Sequence, residues 1–174
     1  MHPFKKRWLL PVVAAVLLGS ALHFVFALLW KFPAAGVFAA VNESVWEHMK
    51  LCFWPVSVIG ALACMRLGYI VREWAVPLAV SVTAAVLLIP FVFYFLLYGL
   101  GFESLVTDIL LFIAAVFSGF YILNSLMRRN AFYPAWPGLL ALGVWAVCFV
   151  LFTFVPPHLP LFMDMQGGFY GINP

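Results

Sequence analysis

Residues 41–50 read Val-Asn-Glu-Ser-Val-Trp-Glu-His-Met-Lys, the most polar stretch of an otherwise apolar chain. Glu43 and Glu47 stand at i and i+4, so on a continuous helix they share a face. His48 follows one step further round. Two carboxylates and an imidazole at one helix end can hold a divalent metal such as zinc, with His23, Asp108 or Asp164 completing the ligand set. In that arrangement His48, His23, Asp108 and Asp164 are the ligands, and Glu47, with Glu43 beside it, is the general base. The same groups also fit a proton or cation relay. The spacing is not His-Glu-x-x-His, so no zincin signature is present.

Capping explains part of the stretch without any chemistry. Asn42 and Ser44 are both good N-caps. Ser44-Val45-Trp46-Glu47 has the spacing of a capping box, in which Ser44 accepts from the third helical amide and Glu47 reaches back to the cap. Glu43 suits the positive end of the helix dipole. His48 has no place in that scheme.

The elements that must position these residues follow from composition. Of 174 residues, 67% are hydrophobic and 9% charged, against roughly 25% charged in soluble domains. Mean hydropathy is +1.12. The apolar runs are long and continuous, as spanning helices require and barrel strands do not. Five runs are long enough to cross a bilayer: 8–30, 45–66, 74–98, 104–126 and 133–155. The expected architecture is an all-α, single-domain membrane bundle of five helices. The first run resembles a signal peptide, but its apolar stretch continues to Trp30, which predicts an uncleaved first span.

With five alternating spans, Lys5, Lys6, Arg7, Arg66, Arg72, Arg128 and Arg129 fall on one side, and Lys31 and Lys50 on the other. Seven against two puts the N-terminus in the cytoplasm and the C-terminus outside. Trp8, Trp74, Tyr121 and Trp136 are then expected at the inner interface, and Trp30, Trp46 and Tyr98 at the outer one. Pro90 is expected to kink the third span.

This orientation gathers Glu43, Glu47, His48, Glu103, Asp108, His158 and Asp164 at the outer end. His23, seven residues before Trp30, lies about 10 Å below that boundary. Ala15, Gly19, His23 and Ala27 repeat every four residues and form a small-residue ridge for helix packing. The tail 156–174 is too rich in proline and glycine for a helix and too apolar to hang free. It is expected to fold back over the polar layer, bringing His158, Asp164 and Tyr170 near it.

Asn42-Glu43-Ser44-Val45-Trp46-Glu47-His48 ahead of an apolar span resembles the motif of a bacterial family of small polytopic membrane proteins carried under a domain-of-unknown-function label. The ending, with Phe162, Asp164, Gly168, Tyr170, Gly171 and Ile172, is similar to that family's C-terminal motif. The resemblance implies a bacterial inner-membrane protein whose two polar motifs lie at both ends of the fold, and it implies no activity. His158 lies outside both motifs.

Other classes are excluded. No P-loop, Gly-x-Gly-x-x-Gly or Gly-x-Ser-x-Gly motif is present. The net charge of +3 comes from short groups, with no continuous basic face for nucleic acid. Cys52, Cys64 and Cys148 lie within apolar runs and read as buried small residues. Three roles fit what is left. One is a metal-dependent hydrolase acting on a membrane lipid or lipid-like substrate. The second is a small proton- or cation-linked transporter. The third is a non-catalytic assembly subunit, held to a membrane-protein partner or to a second copy of itself.

Overall fold

The computed structural model describes residues 6–129 and 131–172. Lys5, one of the seven inner-side cations, and the last two residues of the tail lie outside them. The apolar runs form α1 (Leu9–Leu28), α2 (Val45–Arg66), α3 (Val71–Tyr94), α4 (Leu105–Met127) and α5 (Ala135–Phe154). All five are long and apolar enough to cross a membrane, α3 together with the π-helical turn Phe95–Gly99 that continues it. The described residues contain no strand beyond an isolated antiparallel bridge between Met163 and Tyr170.

The boundaries show what ends each run. Span two begins and ends where Ser44 and Arg66 predict. Span one stops at Leu28, because Trp30 and Lys31 adopt left-handed φ values of 49° and 59°; residues 29 and 30 are apolar but not helical. Span three starts at Val71, three residues early, since the Glu73 carboxylate accepts from the Ile70 amide at 2.8 Å and caps the first turn. It then runs through Pro77 and Pro90 and widens into the π turn five residues after Pro90. Spans four and five lie within one or two residues of the expected bounds.

The centre of the bundle is α2. In its most apolar window 56% of residues are buried, against at most 28% in any other helix. It packs on α1 and α3, and α3 in turn packs on α4 and α5. Two glycines set close approaches. A Cβ on Gly138 would run into the Ala75 backbone of α3, and one on Gly19 would lie 2.8 Å from the Leu51 carbonyl of α2. The ridge on α1 therefore seats Ala15 and Gly19 against the bundle and leaves His23 half-buried, but Ala27 is exposed.

The tryptophans correct the interfacial expectation. Trp8, Trp46 and Trp74 are buried, and only Trp30 and Trp136 stand out from the surface. Trp46 is a core residue. Its ring lies 4.6 Å from Phe149 and 4.8 Å from Phe162, so it joins α2 to α5 and to the tail. Burial of that aromatic surface outweighs the indole N–H, which has no hydrogen-bond partner among the described residues.

Candidate functional site

At one end of the bundle the connection 29–44, the turn before α4 and the tail 155–172 meet the first turns of α2. The polar residues there divide into two centres.

The first centre is closed. The Lys50 ammonium lies 2.5 Å from Glu47 Oε2. It also donates to the Gly36 carbonyl at 2.6 Å and to Thr153 Oγ1 at 2.9 Å. Its three protons are thereby used. Glu47 Oε2 accepts further from the Val41 amide at 3.0 Å. Thr153 Oγ1, 3.0 Å from Glu47 Oε1 and 2.8 Å from the Phe149 carbonyl, shares its one hydrogen between them. Lys50 is fully buried and Glu47 is 2% exposed. A buried ion pair is tolerable only when its remaining hydrogen-bonding capacity is met, and here it is met by α2, α5 and the connection before α2.

The capping box is thus half formed. Ser44 Oγ accepts from the Glu47 amide at 3.3 Å, as the spacing predicts. The Glu47 side chain does not return to Ser44. It reaches Val41, and the Ser44 amide is taken by Asn42 Oδ1 at 2.9 Å.

The second centre is open. Glu43 stands between two imidazoles, with His23 Nε2 3.6 Å from Oε1 and His48 Nε2 3.7 Å from Oε2. One donor atom from each of the three residues falls within a set no more than 4.8 Å apart. A tetrahedral ion with ligand bonds of about 2.0–2.1 Å wants its ligand atoms roughly 3.4 Å apart, so the set as it stands is somewhat wider than a bound ion would draw it. His48 Nδ1 lies 2.9 Å from the Ser44 carbonyl, which can only accept. The proton of the neutral ring is therefore on Nδ1, and Nε2 turns its lone pair toward Glu43. Metal-binding histidines are characteristically fixed in this way.

Beside this group lies a cavity of about 240 Å³ between α2, α3 and α4. Its polar lining is Glu43, His48, Glu103, Asp108 and Gln166, and its apolar wall includes Ile89, Phe93, Leu105, Leu111 and Phe112. Asp108 thus faces the cavity with His48 and is not one of the three grouped donors; nor is it the partner of Lys50.

Asp164 is 4% exposed and bound by backbone. Its carboxylate accepts from the Glu43 amide at 2.7 Å, from Gln166 at 2.9 Å, and from Gly167. It sits behind Glu43 and is not among the grouped donors. Asn42 ties the same loop to the tail by donating to the Gly171 carbonyl at 2.9 Å. His158 is exposed and packs edge-on against Tyr170, with ring centroids 4.6 Å apart, and is not among the three grouped donors.

Glu43 and Glu47 do not act together, contrary to their i, i+4 spacing. Ser44 is the N-cap, so Glu43 precedes the helix and helical periodicity does not reach it. Thr153, Gly36 and the pairing of Lys50 with Glu47 were not anticipated. The one signal for them was a lysine five residues inside an apolar span, which demands a buried partner.

A family model described as a family of unknown function (DUF6512) matches residues 1–172. No curated protein and no solved structure matches the chain.

Proposed function

The chain belongs to the DUF6512 family, and on that premise we propose that it is a multi-pass membrane protein holding a divalent metal ion, such as zinc, for hydrolysis of a lipid-like substrate. The observation that carries this reading is the His23–Glu43–His48 group, with His48 Nδ1 held by the Ser44 carbonyl. His23, Glu43 and His48 would hold the ion, which would lower the pKa of a water bound to it.

The roles follow from position. His23, Glu43 and His48 are the ligands. Asp108, across the cavity from His48, takes the proton of the attacking water, a part that Glu47 cannot play with its oxygens already engaged. Water adds to the substrate's acyl carbon, the bond to the leaving oxygen breaks, and Asp108 returns the proton to that oxygen. The apolar wall formed by α3 and α4 suits the substrate's hydrocarbon part. The distribution of cations supports a cytoplasmic N-terminus and this site at the outer face. The Glu47 and Thr153 oxygens are engaged within their own closed network, which favours hydrolysis over a proton relay through them.

Purified protein, stripped with chelator and titrated with zinc, tests the reading. The native chain is expected to bind one zinc, and His48→Ala to bind it at least 100-fold more weakly. Asp108→Asn is expected to keep zinc and to lose about 10²–10⁴-fold in hydrolysis of a panel of acyl-ester lipids. Absence of stoichiometric zinc in the native chain ends the proposal, and equal binding by His48→Ala removes these three residues from it.

A further inference from the structure

The tail does more than cover the bundle end. Met163 and Tyr170 form a bridge, Asp164 N–H donates to the Phe169 carbonyl at 2.8 Å, and Gly168 N–H donates to the Asp164 carbonyl at 3.0 Å. Residues 163–170 thus make a small closed loop, and Asp164 points its carboxylate to the loop's interior, onto Gln166 and Gly167. The loop needs Gly167, where a Cβ would lie 2.6 Å from the Phe169 ring, and Gly168, whose φ is +69°. The far face of the loop, Met165 and Gln166, lines the cavity beside Glu43 and His48.

One carboxylate therefore serves two structures. Through Oδ1 it shapes the cavity-lining loop, and through Oδ2 it holds the backbone of Glu43 at 2.7 Å. It is buried, and backbone amides bind both of its oxygens. Three amide dipoles carry its charge, an anion-binding arrangement of backbone. A second carboxylate, that of Glu43, lies just beyond. A cation held at Glu43 would place positive charge beside both carboxylates.

We propose that Asp164 is the positioning residue of the metal site, so that metal capture at Glu43 and seating of the 163–170 loop over the cavity occur together. The proposal rests on the metal reading above. By linkage, an ion that favours the seated loop is favoured by it to the same degree. The loop is then a cover that closes when the site is loaded, and Met165 and Gln166 take up their places in the cavity wall at that step.

Hydrogen exchange of the native protein in detergent, with and without zinc, tests this directly. Zinc is expected to slow exchange in peptides covering Glu43 and Gln166–Gly168. Exchange at Ile70, capped by Glu73 at the opposite bundle end, should stay unchanged. In Asp164→Asn, Oδ1 can still accept from the loop, but an amide N–H₂ replaces the oxygen facing Glu43. This variant is expected to bind zinc 10–100-fold more weakly and to lose the zinc-dependent protection of the loop. If the native chain binds zinc and the loop's exchange does not change, the coupling is wrong and the metal reading stands. The coupling is equally wrong if Asp164→Asn binds zinc as the native chain does. If the native chain takes no zinc, both fall. The native exchange measurement decides the matter even if the variant does not fold.

Discussion

Glu43 and Glu47 lie four residues apart and meet opposite fates. Glu47 is sealed: an ammonium, a hydroxyl and a backbone amide occupy its oxygens, and it is 2% exposed. Glu43 is half-buried, with two imidazole nitrogens, at 3.6 and 3.7 Å, beside its oxygens. The first pattern is that of a polar group consumed by architecture. The second is that of donor atoms brought together with bonding capacity left over. What separates them is saturation, not residue type, and it marks which carboxylate the fold depends on and which it makes available.

The comparison can be broken most forcefully at Glu47. Glu47→Ala leaves the Lys50 ammonium buried without a counterion and is expected to destabilise the protein by about 3–5 kcal/mol, read as thermal denaturation in detergent or loss of expression. Replacing both partners, Glu47→Gln with Lys50→Met, should restore much of that loss. A double variant as unstable as the single one would mean the pair itself is indispensable. Glu43→Gln is expected to do the reverse, weakening zinc binding about 10- to 100-fold while leaving the denaturation temperature near that of the native chain; a large loss of stability would place Glu43 with the sealed group. The smallest effect is at Thr153. Thr153→Val removes the hydroxyl that bridges Lys50 and Glu47, at about 1–3 kcal/mol, whereas Thr153→Ser keeps it and should be close to neutral. Equal melting of the two variants would show that the hydroxyl contributes nothing to the sealed centre.

This division also shows what could be read from the chain. The five spans were legible because apolar length is a strong signal, and the start of α2 because Ser44 has the chemistry of an N-cap. The end of α1 was not, since Trp30 is apolar and its departure from the helix is a backbone event. His23, Glu43 and His48 were legible as types able to bind metal. Their grouping rests on a contact between α1 and α2 that periodicity does not encode. The assignment of Glu47 as a base reversed its environment, because its partners are Thr153, 106 residues away, and a Val41 amide with no side-chain signature. Asp164 was legible as a residue drawn to the polar layer. That backbone amides would fill its carboxylate depends on the turn at Gly167 and Gly168.

The contact at Gly19 has a consequence for the open centre. His23 sits one helical turn beyond Gly19 on the same ridge, and Gly19 rests with its Cα side against the Leu51 carbonyl and the Phe112 ring, where even a methyl group has no room. That contact works as a gauge block. The missing side chain of a residue that binds nothing sets the span between the imidazole of α1 and the two donors near the start of α2. A donor set of this kind is tuned by the spacing of its backbones, so the bite offered to an ion is decided four residues away, at a position whose whole contribution is to be thin.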